Sequence, residues 1–266
     1  MDKIHFAAQF GKTDEIKMEL QSGVNINAPD KDGYTALHWA VQEGYLETVE
    51  FLIRMGADIK RRDKEGFHAI EIASTKGYKH IVDFLLKNGA EVNLDRQGFT
   101  ALHAAAASCH ADIAELLIDF GADVNAKDNC GEGRTPLHWA AQEGCVEVAK
   151  ILLKNGADIN CREEGDGFAP LAIAATEGHV DLVNMLIQNE ADINIRCPSD
   201  SNTTPLHSAI AWNQAKIAEI LIIHGADIHA TDADNQTALD IAVELGNKEV
   251  ETILKNHGAK TGAIKI

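Results

Sequence analysis

The stretch Arg134–Asn160, RTPLHWAAQEGCVEVAKILLKNGADIN, holds one complete structural unit in its letters. The Thr135 hydroxyl can cap a helix, and Pro136 pre-sets φ at the first helical position, where no N–H is needed. A short apolar helix is predicted over Leu137–Gln142, and Gly144 breaks it. A second helix is predicted over Glu147–Lys154, with Val148, Ile151, Leu152 and Leu153 at helical spacing. Gly156 ends it, and Ala157-Asp158-Ile159-Asn160 leads out extended. Two helices this short cannot bury their own apolar faces, so the unit needs copies stacked beside it.

The copies are present. Positions equivalent to Leu137 are Ile4, Leu37, Ile70, Leu102, Leu171, Leu206 and Leu239, separated along the chain by 33, 33, 32, 35, 34, 35 and 33 residues. Four copies open on TALHWA (Thr35), TALHAA (Thr100), TPLHWA (Thr135) and TPLHSA (Thr204), and looser openings are HAIEIA (His68), APLAIA (Ala169) and TALDIA (Thr237). Period and opening resemble the ankyrin repeat, a β-turn followed by two antiparallel helices. The resemblance implies an all-α ankyrin-repeat solenoid of stacked helix-turn-helix units with projecting β-hairpin fingers. Its eight repeats would span about 1–30, 31–63, 64–95, 96–128, 129–163, 164–198, 199–232 and 233–260 of a single domain, with a short tail over 261–266. An architecture of this kind does not name a partner.

Composition narrows the function classes. With 24 Lys+Arg against 41 Asp+Glu the formal charge is −17, a field that repels phosphate and disfavours nucleic acid or an anionic membrane as partner. A basic peptide or protein surface is electrostatically easier. No segment reaches membrane-spanning length, and the N-terminus has no long apolar run. Five cysteines, Cys109, Cys130, Cys145, Cys161 and Cys197, are odd in number and scattered, which argues against a disulfide framework and for a reducing, cytoplasmic setting.

The repeats are uneven in informative ways. Glycine of the inter-helix turn is replaced by Cys109 and Asn213, and the glycine closing the second helix is replaced once, by Glu190, a residue expected to be strained there by about 1 kcal/mol. In the second helices one i,i+4 stripe turns polar in repeat one (Glu15, Glu19) and the opposite stripe in repeat eight (Glu251, Lys255). Polar outer faces suit terminal repeats, so a complete array and a monomer are expected. The extra residues of the longer steps fall in Ala126–Arg134, Cys161–Phe168 and Arg196–Thr203, whereas Lys60-Arg61-Arg62 makes an earlier linker basic. Insertions in surface loops cost little and often carry function.

Catalytic constellations are weak. His38, His103, His138 and His207 recur one per repeat, and the resemblance implies that each bonds backbone between adjacent loops; no converging triad is implied. Cys130, Cys161 and Cys197 lie in three successive linkers but at different offsets and without a CxxC pair, so no zinc site or other cofactor is expected. Neither a phosphate-cradling nor a dinucleotide-binding glycine motif is present. Trp39 and Trp139 share the position after the TPLH-type histidine, but no two consecutive repeats supply tryptophan there, which leaves a methyl-lysine cage without walls.

The expected activity is therefore non-catalytic. The resemblance implies a concave groove, and the chain reads as a scaffold, adaptor or inhibitor that binds a protein partner there, similar to stand-alone ankyrin proteins, including bacterial ones that act on host or self proteins. A small-ligand protein or enzyme using a pocket in the groove is the alternative. Glu143, Glu177 and Trp212 are equivalent residues of successive repeats and should form a row suited to a basic segment. Arg134, Trp139, Glu163, Glu164, Asp166 and Phe168 surround that row in sequence and complete the expected partner-binding set. Leu117, Asp123, Val124 and Asn125 resemble the acceptor pattern of asparaginyl hydroxylases on ankyrin proteins, with Asn125 as target.

Overall fold

The computed structural model describes residues 2–93, 95–96, 98–129 and 132–262. The chain folds as two compact units, Met1–Asp123 and Val124–Ile266. The first holds α1 (Lys3–Gln9), α2 (Thr13–Gln21), α3 (Ala36–Gln42), α4 (Leu46–Arg54), α5 (Ala69–Lys76), α6 (Lys79–Lys87), β1 (Asp95–Arg96), β2 (Phe99–Thr100), α7 (Ala101–Ala107) and α8 (Ala111–Asp119). The second holds α9 (Pro136–Glu143), α10 (Val146–Lys154), α11 (Pro170–Glu177), α12 (Val180–Gln188), α13 (Pro205–Ala211), α14 (Ala215–Ile223), α15 (Ala238–Glu244) and α16 (Lys248–Asn256). The predicted pair in repeat five is α9 and α10, each starting one residue earlier than its apolar pattern because Pro136 and Val146 already adopt helical geometry.

Within each unit the helices form two layers. In the first, α1 packs on α3, α3 on α5 and α5 on α7; in the second, α9 packs on α11, α11 on α13 and α13 on α15. The even-numbered helices form the second layer in the same order. Leu37, Ile70, Leu102, Leu137, Leu171, Leu206 and Leu239 are buried in the first layer, and Val49/Leu52, Ile81/Leu85, Ile113/Leu117 and Val148/Leu152 in the second. The fingers are mostly turns: a two-residue ladder pairs β1 with β2, and single bridges join Cys197 to Thr203 and Thr231 to Thr237. A finger aspartate organises several of them: one carboxylate oxygen of Asp30 accepts from the N–H of Asp32 and Tyr34, and one of Asp232 from Asp234 and Gln236.

Neighbouring repeats are tied by polar side chains reaching main-chain groups. The asparagine closing a repeat accepts from the N–H of the aspartate one repeat on: Asn27 from Asp58 at 2.8 Å, Asn93 from Asp123 at 2.9 Å, Asn125 from Asp158 at 2.9 Å, Asn160 from Asp192 at 2.8 Å and Asn194 from Asp227 at 2.8 Å. Lys60 occupies this position in repeat two and cannot accept; its ammonium instead pairs with the Glu91 carboxylate. A second set of ties runs along the inter-helix turns. There the His179 imidazole bonds the Gln142 carbonyl at 2.8 Å, and the Gln214 amide donates to the Thr176 carbonyl at 3.1 Å. Glycine is required beneath them: Gly144 has φ +72°, and a Cβ there would lie 2.6 Å from the His179 ring.

Two expectations need correction. Cys109 takes part in a disulfide, as does Cys145, while Cys161 and Cys197 carry free thiols and Cys130 lies outside the described residues. Count and spacing along the chain missed this because the repeat places cysteines by geometry: Cys109 stands at a turn with φ +58° and Cys145 caps α10. Glu251 does not face solvent; it is 5% exposed and held by Lys248 at 2.6 Å and Lys255 at 2.8 Å. Repeat one, for its part, exposes Phe6, Phe10 and Met18 on the same repeat as Glu15 and Glu19, so its surface is not uniformly polar. Glu190 does hold a left-handed conformation, φ +65°, where Gly156 and Gly225 stand in other repeats. Glu190→Gly is expected to raise the urea midpoint, by about 0.5–1 kcal/mol of stability; an unchanged or lowered midpoint would show that the glutamate side chain offsets the backbone strain.

Candidate partner-binding surface

The recurrent histidines are closed into the fold. In repeat two the Thr35 N–H donates to His38 Nδ1 at 3.1 Å, which leaves the proton on Nε2, and that nitrogen donates to the Arg61 carbonyl at 3.1 Å. His138 repeats the arrangement with Thr135 at 3.0 Å and the Phe168 carbonyl at 3.1 Å. Burial drives the His138 pKa down to about 4, so the ring is neutral. Cys161 lies 3.7 Å from His138 Nδ1, but burial pushes its thiol up to about 11, the reverse of what a thiolate–imidazolium nucleophile needs. Repeat three inverts the chemistry: the buried Glu71 accepts from the N–H of His68 at 2.7 Å and from its Nδ1 at 2.8 Å, while Arg62 Nε donates to His68 Nε2.

The tryptophans of the first helices are anchored in the same way. Trp39 Nε1 donates to Asp30 at 2.9 Å and Trp139 Nε1 to Asp128 at 2.8 Å. Burial pushes the Asp30 carboxyl up, but the Trp39 indole and the backbone donors of Asp32 and Tyr34 outweigh it and hold the group below its ordinary value. Each indole is lidded by the residue after the finger: the Tyr34 ring at 5.1 Å from Trp39, the Arg134 guanidinium at 5.7 Å from Trp139. Arg134 also pairs with Glu132 at 2.7 Å and Glu163 at 2.6 Å and donates to Gln142. Glu163 is 4% exposed, and its burial raises its pKa against the pull of Arg134.

The structure thus separates the expected site residues into two groups. Arg134, Trp139 and Glu163 are engaged internally, and the half-buried Phe168 gives its carbonyl to His138 and to the Glu163 N–H. Glu143, Glu164, Asp166, Glu177 and Trp212 are exposed. Glu143 and Glu177 are the last residues of α9 and α11, Trp212 is the C-cap of α13, and these three helices pack in succession, so the residues fall in a row. Trp212 is 66% exposed, the most open of the three indoles. Glu164 receives Lys127 at 3.1 Å, so part of the finger's negative charge is already paired.

Asn125 belongs to the inter-repeat ties: its amide nitrogen donates to the Gly156 carbonyl at 3.1 Å while its oxygen takes the Asp158 N–H. Reading residue by residue along the chain missed this role, although the recurring asparagine of ADIN and ADVN carries its signal. Surface hollows are shallow in chemistry. One of about 490 Å³ is lined by Asp30, Asp58, Lys60, Arg61, Arg62 and Asp63 of two neighbouring fingers, and one of about 420 Å³ by Lys3, Phe6, Glu15, Met18 and Glu19 of repeat one. Among the described residues no group of three or more His, Cys, Asp and Glu is placed to hold a metal, and no helix is long and apolar enough to cross a membrane.

Family comparisons agree with this architecture. A profile for ankyrin repeats in three copies matches residues 70–163, 127–197, 161–232 and 196–264, and one for ankyrin repeats in many copies matches 4–53 and 37–86. The chain belongs to the ankyrin-repeat family, whose repeats are in general protein–protein interaction modules. No curated protein matches it.

Two outcomes test the engaged residues. Arg134→Met leaves Glu163 buried without its cation and should cost about 3 kcal/mol in urea unfolding, whereas adding Glu163→Leu should restore much of it; equal losses would show that the ion pair is not the cause. The folded pKa of His138 lies below the unfolded value of about 6.5, so the unfolded chain binds the extra proton. Stability is then complete above pH 6.5 and falls as the pH drops towards about 4, by on the order of 3 kcal/mol for this residue. Urea titrations across that range should show a shallower slope in His138→Gln.

Proposed function

We propose that the chain is a non-catalytic interaction protein, a scaffold, adaptor or inhibitor, and that its second compact unit takes a basic segment of a protein partner along Glu143, Glu177 and Trp212. The observation that carries this reading is the exposed indole of Trp212 in line with two exposed carboxylates. Two carboxylates pair with Arg or Lys, and an open ring face takes a cation, a planar side chain or an apolar side chain of the same segment. The charge of −17, with Glu164 and Asp166 on the nearby finger, raises the rate of encounter with a cationic partner. Arg134, Trp139, Glu163 and Phe168 support the reading from beneath, as the packed base that keeps the finger in place.

A monomer working in the cytoplasm, with repeats one to eight as a single domain, fits this role. Asn125 stays a candidate for hydroxylation, and because both ends of its amide are bonded, an enzyme would need the loop to open; added oxygen on its peptide is read by intact-mass analysis.

Trp212→Ala should weaken partner binding at least tenfold, about 1.4 kcal/mol or more, without changing the thermal midpoint. Glu43→Ala, at the same position of repeat two, should change affinity little. Reversed effects, measured by titration calorimetry on a partner captured from the source cell, would move the site to the first compact unit.

A further inference from the structure

The row does not stop at Trp212. Leu245 is the C-cap of α15, the same position one repeat on, and it is 56% exposed. Since α15 packs on α13, the sequence of exposed groups in the second compact unit is carboxylate, carboxylate, indole, isobutyl: Glu143, Glu177, Trp212, Leu245. The corresponding C-terminal positions of the first compact unit are Phe10, Glu43, Lys76 and Ser108, which show no such order. The row is therefore polarised, acidic at one end and apolar at the other.

Its spacing selects a partner conformation. Packed neighbouring helices lie about 8–10 Å apart, so the four groups recur at that interval. A polyproline II segment advances about 9 Å per three-residue turn and returns every third side chain to the same face. A β-strand alternates faces every residue, which turns the third side chain away. An α-helix needs about seven residues per step and drifts about 20° at each, so four contacts accumulate a mismatch of about 60°. Resting on the function proposed above, the geometry points to a more specific occupant: a polyproline II segment of a protein partner carrying basic, basic, apolar and apolar side chains at every third residue, lysine or arginine over Glu143 and Glu177 and apolar groups over Trp212 and Leu245.

The test uses the full chain and fluorescein-labelled synthetic peptides. One carries two lysines and two leucines at every third position of a proline-rich background, made in both chain directions. A second has the same residues at every second position, and a third places them every seven residues on an alanine-rich helix. The proposal expects one direction of the three-spaced peptide to bind at least tenfold more tightly than the two-spaced and seven-spaced peptides, and Leu245→Ala and Trp212→Ala each to weaken it at least fivefold. Leu245 is exposed, so its truncation leaves the packing intact. Tighter binding of the helical peptide, equal binding of the three-spaced and two-spaced peptides, or an unaffected Leu245→Ala variant overturns the polyproline register. If in those cases Trp212→Ala still weakens every basic peptide, the function proposed above stands; if no basic peptide binds at all, both fall. Concentration-dependent dimerisation displaced by the peptide would assign the row to a second copy and also overturn it.

Discussion

Side-chain groups that satisfy the main chain of the next repeat are the interaction on which the rest depends. Helices of seven to nine residues are too short to be stable in water by themselves. Their apolar faces drive stacking, but apolar packing alone does not fix register. The asparagine ties and the neutral histidines do, because each offers one donor or acceptor at one height. A repeat shifted along its neighbour would leave the buried histidines without partners, at a cost of about 1–3 kcal/mol each, and would break the more exposed asparagine ties, each worth about 0.5–1.5 kcal/mol. The finger aspartates, the anchored indoles and the exposed row are positioned by that register.

Most of this architecture was readable from residues such as Leu137, Pro136 and Gly144, since recurrence at one spacing reports one structural position. Glu190, Cys109 and Asn213 were readable as exceptions for the same reason, and all three hold positive φ. What recurrence does not reveal is an interaction made once. Arg134 pairs with Glu163 across two fingers of irregular length, and among the described residues no other repeat makes that pair. From its place beside the row, Arg134 reads as a surface cation; in the fold it is a lid on Trp139. The two disulfide-bonded cysteines were hidden for the same reason.

The candidate surface shows how a repeat array divides labour. Trp139 lies within α9 and Trp212 caps α13; the first is bonded to Asp128 and covered by Arg134, while the second is open. A residue whose polar atom already has a fixed protein partner contributes rigidity, and a neighbour that stands open to solvent is available to bind. The rigid base lowers the ordering cost that accompanies binding.

Lys60 gives the first compact unit a different kind of joint. Where Asn27 and Asn93 make directional bonds to main-chain N–H groups, Lys60 meets Glu91 through two exposed, flexible, charged side chains. Such a pair fades as ions screen it, while an amide bond to backbone does not. In a stack whose stability is summed from nearest-neighbour couplings, a uniform chain melts as one body, and a chain with one soft coupling can part there first. At the boundary between repeats two and three the Lys60–Glu91 tie is therefore the salt-sensitive one, beside the Lys64 N–H to Asp32 carbonyl bond at 3.1 Å, which ions leave alone.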